Sequence, residues 1–224
     1  MLYPQQNDKR NRLNLSGFWD FKLDPDEVGE AEGWFTGLES PRTIAVPGSW
    51  NEQFDDAYHY LGMAWYVRDD IYVPSAWAGQ KIFIRVGSAN YFARVWINGK
   101  AVGEHSGGHL PFVFDISDHV KWGQANTIAV QVENHLQTNR VPAGSPASDG
   151  FALGPMNGYP PANFDFYPYA GIHRPVILYS VPDTHIDDVT VTTEIDGKTG
   201  IVKVQVSHTG DAANGHISLS GDGV

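Results

Sequence analysis

The sequence predicts an all-β fold of the sandwich or jelly-roll kind. Apolar and polar residues alternate with a period of two along most of the chain, and no segment shows a convincing helical period. The apolar runs are short and are separated by turn signals, of which Asn98-Gly99 and Asp196-Gly197 are the strongest, since such pairs tolerate positive φ. With 224 residues, of which 42% are hydrophobic, the chain can bury a sizeable core. Many short strands joined by turns are typical of a sandwich or jelly roll.

Several segments alternate strictly enough to predict which side chains share a face. Each shared face is expected to be the buried side of a strand. The predicted faces are Trp19, Phe21 and Leu23; Trp65, Val67, Ile71 and Val73, opposite Tyr66, Arg68, Asp70 and Tyr72; Ile82, Ile84 and Val86; Phe112, Phe114 and Ile116; and Ile128, Val130 and Val132.

The alternation stops between His135 and Asn163, in a segment rich in Gly, Pro, Ala, Ser and Asn. A structureless loop of this length is unusual inside a compact domain. It is either a surface insertion or a loop that shapes a binding site.

A domain boundary is predicted at Val181-Pro182, where the strand pattern pauses and then restarts. Residues 1–182 would form the jelly roll, and residues 183–224 would begin a second sandwich. That remainder supplies only about three strands of a fold that needs roughly seven. Because three strands leave an unpaired edge and an open apolar face, the chain is expected to be a segment of a longer protein.

Charge and composition exclude several classes of partner. The net charge of -11 argues against nucleic acid, whose binding needs clustered Lys and Arg. No apolar run approaches the roughly 18 residues of a membrane span. The opening "MLYPQQNDKRNRLNL" lacks the apolar core of a secretory signal, so a cytoplasmic location is expected. Without cysteine there is no disulfide and no Cys-ligated metal.

The stretch "HSGGH" places His105 and His109 around two glycines. Two imidazoles could begin a metal site, but no third ligand lies at a suitable spacing nearby. The favoured interpretation is a tight turn ahead of the strand containing Phe112 and Phe114. We therefore predict no metal.

No catalytic group is predicted within the chain. There is no nucleophile elbow of the G-x-S-x-G kind and no Gly-rich phosphate loop that opens a helix, so no cofactor is expected. Glycosidic cleavage needs two carboxylates held across one sugar. The pairs Asp55-Asp56 and Asp187-Asp188 are adjacent in sequence, and in an extended chain such neighbours point to opposite faces.

Asp165 is the one unusual carboxylate, because it lies among the rings of "NFDFYPY". Burying such a group is costly unless it is hydrogen-bonded or paired. Considered alone, Asp165 either caps backbone N–H groups of the loop or accepts hydrogen bonds from the hydroxyls of a bound sugar.

Several blocks of the sequence together resemble glycoside hydrolase family two. Those shared with the family at large are "WYVR", "VWINGK" with "GGHLPF", and "GIHRPVILY", whereas "VPGSWNEQF" and "FDFYPYAGIHR" resemble its β-glucuronidase branch. The resemblance implies a jelly-roll sugar-binding domain to about residue 182, followed by the first strands of an immunoglobulin-like sandwich. It also implies a (β/α)8 barrel carrying the two glutamates of a retaining hydrolysis.

The resemblance implies that the intact protein is a glycoside hydrolase acting on terminal β-D-glucuronides. No residue here matches either catalytic glutamate, so the segment alone is predicted to be inactive. The alternatives are another exo-glycosidase of the family, a β-galactosidase or β-galacturonidase, and a non-catalytic carbohydrate-binding module. The implied partners are the glycoside, the barrel domain of the same protein and further copies in a dimer or tetramer.

By the same resemblance, Asp165 is the aspartate that reaches into the barrel and binds hydroxyls of the non-reducing sugar. Phe164 and Pro168 depart from the family's His and Asn, which bears on selectivity rather than on Asp165. Arg174 and His173 are interpreted as structural. The rings beside Asp165 are expected to lie in a domain contact and to be exposed in the isolated chain.

Overall fold

The computed structural model describes residues 3–144, 167, 169–211 and 214–221. Within these residues it contains thirteen strands, one short α-helix and three single-turn 3-10 helices, so the all-β prediction is confirmed. None of the helices in these ranges is long and apolar enough to cross a membrane. The strands are β1 (Asn11–Asn14), β2 (Gly17–Asp24), β3 (Arg42–Val46), β4 (Gly48–Ser49), β5 (Met63–Tyr72), β6 (Lys81–Asn90), β7 (Phe92–Ile97), β8 (Lys100–Ser106), β9 (Phe112–Asp115), β10 (Ala125–Glu133), β11 (Gly171–Val181), β12 (His185–Asp196) and β13 (Thr199–Thr209), and the helix is α1 (Trp50–Gln53).

Two antiparallel sheets pack face to face to form the sandwich. The five-stranded sheet has the order β1-β11-β6-β9, with β4 paired to the start of β11. The six-stranded sheet has the order β3-β2-β5-β10-β7-β8. Strands distant in sequence lie side by side in both sheets, as the crossover connections of a jelly roll require.

The core between the sheets contains most of the faces predicted from alternation. Confirmed buried sets are Trp19 and Phe21, with Leu23 partly buried; Ile82, Ile84 and Val86; Phe112 and Ile116, with Phe114 partly buried; and Ile128, Val130 and Val132. Both predicted hairpins are also present. Asn98 and Gly99 have φ values of 50° and 80° between β7 and β8, and Gly197 has a φ of 61° between β12 and β13.

The face predicted for β5 is wrong in part. Asn126 pairs with Ile71, whereas Ile128 pairs with Arg68, so β5 carries one extra residue between these positions. Such a bulge reverses the alternation beyond it. Ile71 therefore faces the core together with Tyr66, and the predicted separation of those two residues does not hold.

Trp65 and Val67 are buried on the opposite, outer face of the six-stranded sheet. They pack with Trp96 and Ala129 under a cover of partly buried Trp34, Phe35 and Leu38. The indole N–H of Trp65 donates to the Asp24 carboxylate at 2.9 Å. This second cluster makes β5 apolar on both faces, so its alternation could not show which face meets the main core.

Strands β12 and β13 form a separate two-stranded sheet after β11. Arg10 links this hairpin to the sandwich by donating to the Ile186 carbonyl at 2.7 Å. Several of its valines are exposed, namely Val189, Val191, Val202, Val204 and Val206. The immunoglobulin-like assignment of residues 183–224 stays a prediction.

Candidate functional site

Asp165 and its neighbours Phe164, Phe166 and Pro168 lie outside the described residues. The structure does describe the chain on either side of residues 145–166. We call residues 133–144 the N-terminal root of this segment, and Tyr167 together with residues 169–174 its C-terminal root. The candidate site is the part of the fold that holds these two roots.

The N-terminal root is held by a buried ion pair at the end of β10. Arg140 donates to the Glu133 carboxylate at 2.8 Å, and the two side chains are only 11% and 9% exposed. The same guanidinium donates to the His135 carbonyl at 3.1 Å and lies over the ring of Phe92 at 5.3 Å. An ion pair this buried is costly to break, because the remaining charge has little water around it.

His135 is the second partner of the Glu133 carboxylate, with its Nδ1 2.9 Å from Oε1. Burial opposes ionisation of Glu133, but the hydrogen bonds from His135 and Arg140 outweigh it and lower the pKa of the carboxyl. The hydrogen bond to Glu133 in turn raises the pKa of the His135 imidazole. The protonated imidazole therefore stabilises the N-terminal root.

Replacing His135 by glutamine is expected to lower stability at pH 6 and to have little effect at pH 9. A raised pKa in the folded state means that the stabilisation is present below the unfolded value of about 6.5 and is lost as the pH rises through the folded value. Because His135 is 44% exposed, solvent screening keeps the effect small. Thermal melts at both pH values, with exposed His208→Gln as the control, test this; an equal loss at pH 9 would contradict it.

The "HSGGH" turn joins the two roots. The amide of Gly108 donates to the Val141 carbonyl at 2.6 Å, and the amide of His109 donates to the Asn90 side chain at 3.1 Å. A Cβ at Gly108 would lie 2.6 Å from the ring of Tyr91, so this approach needs glycine. In the described part of the chain no three His, Cys, Asp or Glu side chains are grouped as metal ligands. The turn leads into β9, as predicted.

Two buried asparagines hold the C-terminal root. Asn51, in α1, accepts from the Ala170 amide at 2.9 Å through its Oδ1. Asn90, at the end of β6, donates to the Tyr169 carbonyl at 2.9 Å. The sequence alone did not single out either residue, since asparagines in turns and at strand ends are common. Their contacts cross long stretches of sequence, which leaves no local signal.

Gly171 begins β11 where three chain segments meet. It pairs with Ser49 of β4 on one side and with Asn90 of β6 on the other. Its φ is 104°, and a Cβ there would lie 2.6 Å from the Tyr66 hydroxyl. Burial raises the pKa of this hydroxyl, so Tyr66 is a neutral packing group. The geometry explains the glycine in "AGIHR".

Three tyrosine rings line the C-terminal root. The centroid of Tyr167 lies 5.4 Å from that of Tyr58 and 4.5 Å from that of Tyr169. The Tyr167 hydroxyl also donates to the Tyr58 carbonyl. Tyr58 is 44% exposed and Tyr169 is 40% exposed. Large rings with this exposure are available for contact with a sugar or a partner domain.

Arg174 and His173 make contacts of the structural kind predicted for them. Arg174 donates to the His109 carbonyl at 2.8 Å, and His173 Nε2 lies 3.0 Å from the Tyr169 carbonyl oxygen. Burial lowers the pKa of His173, with smaller contributions from His109 and Arg174. Both side chains therefore brace the C-terminal root.

The chain is similar to known proteins over most of its length. Residues 13–182 match the sugar-binding domain of the glycosyl hydrolases family 2. The chain is 39% identical over 222 residues to a β-glucuronidase of Sus scrofa, covering 92% of this chain and 34% of that protein. A β-glucuronidase of Paenibacillus borealis is 37% identical over 207 residues, covering 90% of this chain and 34% of that protein.

A solved structure shows that the similarity extends to the fold. The apo β-glucuronidase of Ruminococcus gnavus superposes with a TM-score of 0.83 at 35% identity, covering 94% of this chain and 35% of that one. The chain thus spans about a third of the length of these relatives. On the match over residues 13–182 and the shared jelly roll, the chain belongs to glycosyl hydrolase family 2 through its sugar-binding domain.

Proposed function

We propose that this chain is the N-terminal region of a retaining β-glucuronidase and that its jelly roll supplies Asp165 as a ligand for the sugar. The observation that carries the proposal is the similarity to β-glucuronidases across nearly the whole chain. The held roots on either side of residues 145–166 support it, because a substrate ligand must be kept in place.

In this proposal the chain binds and orients the substrate but performs no bond cleavage. The Asp165 carboxylate accepts hydrogen bonds from sugar hydroxyls, and charged acceptors of this kind form the stronger hydrogen bonds. The acid/base and nucleophile glutamates belong to a barrel domain of the same protein. In this proposal the exposed rings of Tyr58 and Tyr169 help to exclude water from the bound sugar.

The net charge of -11 does not prevent the binding of an anionic glucuronide. At physiological salt, exposed charges are screened over about 8 to 10 Å. Cations close to the sugar carboxylate therefore dominate its binding, and in this proposal they belong to the barrel. The proposal also includes a cytoplasmic location and assembly into dimers or tetramers.

Hydrolysis of 4-nitrophenyl β-D-glucuronide by the full-length protein tests the proposed function. Proton NMR of the first product should show the β-anomer of glucuronic acid, because a retaining mechanism inverts the anomeric centre twice. Residues 1–224 alone should release no nitrophenol. First formation of the α-anomer, or no hydrolysis by the full-length protein, would contradict the proposal.

The second candidate is a carbohydrate-binding module with no chemistry of its own. The match to a sugar-binding domain and the exposed rings of Tyr58 and Tyr169 favour it. It predicts saturable binding of glucuronic acid or a related sugar by residues 1–224 in calorimetry. If no heat of binding is measured while the full-length protein hydrolyses the glucuronide, the enzyme proposal is favoured.

A further inference from the structure

Asn51 uses its whole side-chain amide to join three separate parts of the chain. Its Oδ1 accepts from the Ala170 amide at 2.9 Å, and its Nδ2 donates to the carbonyls of Ala57 and Tyr58 at 3.0 and 2.9 Å. The side chain is buried, and the Ser49 hydroxyl also lies 3.1 Å from Oδ1. Because the amide is buried and both of its polar atoms have partners, it has one well-defined orientation.

The position of this amide connects α1 to the C-terminal root. Ala170 follows Asp165 by five residues. The Tyr58 carbonyl accepts hydrogen bonds from both the Asn51 amide and the Tyr167 hydroxyl. Asn51 thus contacts the root directly at Ala170 and indirectly through Tyr58. The two sequence blocks that resemble the β-glucuronidase branch, "VPGSWNEQF" and "FDFYPYAGIHR", are bonded to each other at this point.

We infer that Asn51 is a positioning residue for the substrate ligand Asp165: its amide sets where the C-terminal root leaves the sandwich. The inference rests on the proposed function of Asp165. A misplacement of about 1 Å can cost roughly 100-fold in rate even when it arises far from the chemistry. Loss of the Asn51 amide therefore lowers activity beyond what loss of stability explains.

Asn126 provides a matched control. It is also a buried asparagine: its Oδ1 accepts from the Lys121 backbone amide and the Asn98 side chain, and its Nδ2 donates to the carbonyls of Ile71, Lys121 and Gln124. It lies at the start of β10, whereas Glu133 and the N-terminal root lie at the other end of that strand, about 23 Å away at 3.3 Å per residue. Asn126→Ala removes a similar set of bonds without touching either root.

The experiment compares Asn51→Ala and Asn126→Ala in the full-length protein at a temperature where both are folded. We expect Asn51→Ala to lower kcat/KM for an aryl glucuronide by about 10- to 100-fold. Asn126→Ala should stay near the wild-type value despite a similar fall in Tm. Equal kcat/KM in the two variants would overturn the inference and leave Asn51 a stabilising residue.

A double-mutant cycle separates positioning from general damage. In an Asp165→Ala background, Asn51→Ala should add little further loss, because the group that it positions is gone. Fully additive losses would overturn the inference. If Asp165→Ala alone leaves kcat/KM unchanged, the proposed function of Asp165 fails; if it lowers kcat/KM and Asn51→Ala behaves like Asn126→Ala, only the inference fails.

A gentler variant covers the case in which Asn51→Ala does not fold. Tyr167→Phe removes the hydroxyl that donates to the Tyr58 carbonyl and leaves the ring in place. Its control is Tyr72→Phe, at an exposed tyrosine near the end of β5. We expect a several-fold lower kcat/KM with unchanged Tm for Tyr167→Phe alone, and identical kinetics of the two variants would contradict the inference.

Discussion

Replacing Asp165 by alanine in the full-length protein is expected to lower kcat/KM for a simple aryl β-D-glucuronide, with a loss of transition-state stabilisation of about 2 to 4 kcal/mol. This corresponds to roughly 30- to 900-fold. The physical reason is the loss of a charged hydrogen-bond acceptor for the sugar hydroxyls, which then have no partner in a site closed to water. Steady-state kinetics on 4-nitrophenyl β-D-glucuronide measure the effect.

Asp118→Ala is the matched control, because Asp118 is an exposed aspartate in the turn after β9. This variant should retain wild-type kcat/KM. Thermal melts of both variants should stay close to the wild-type curve, so that a change in activity can be assigned to binding. Near-normal kinetics of Asp165→Ala would remove Asp165 from the substrate site.

Replacing Arg140 by methionine is expected to destabilise the protein by about 3 to 5 kcal/mol at pH 9. The Glu133 carboxylate, only 9% exposed, would then remain buried without its guanidinium. At pH 6 the loss should be smaller, since a protonated His135 still supports the carboxylate. Denaturant unfolding at both pH values measures the difference.

Arg42→Met is the control for this prediction. Arg42 pairs with Asp56 at the surface, with side chains 42% and 62% exposed, and exposed pairs contribute about 1 kcal/mol or less. The double variant Glu133→Leu/Arg140→Met should recover part of the loss, because no buried charge is left unpaired. Equal stability of Arg140→Met and Arg42→Met would show that the Glu133 pair does not hold the N-terminal root.

Much of the fold could be predicted because alternation records which side of a strand is buried. Ile82, Ile84 and Val86 fall on one face of a period-two pattern, and they lie together in the core. The hairpin at Asn98-Gly99 could be predicted for a local reason, since few other pairs accept two positive φ values. Neither prediction needs knowledge of distant contacts.

In strand β5, alternation was not enough to predict which side chains face the main core. The position of its extra residue between Arg68 and Ile71 is defined by the register against β10, and the sequence of β5 does not contain that register. Trp65 is buried under Trp34 on the outer face of the sheet and not in the main core. A strand with two buried faces carries no alternation that could reveal a bulge.

The candidate site, like the fold, could be predicted from the sequence only in part. Asp165 could be singled out from its neighbours and from the resemblance, and its role stays a prediction. The groups that hold its segment could not, because Asn51 and Ala170 are 119 residues apart and Glu133 looks like an ordinary outward-facing strand residue. The burial of Glu133 depends on Arg140 folding back over it. Such contacts exist only in three dimensions.

The most direct test of the proposed β-glucuronidase function is substrate selectivity. The full-length protein would be assayed on the 4-nitrophenyl β-D-glycosides of glucuronic acid, galacturonic acid and galactose under one set of conditions. We predict that kcat/KM for the glucuronide exceeds that for either of the others by at least about 100-fold. Equal or faster hydrolysis of the galactoside or the galacturonide would contradict it.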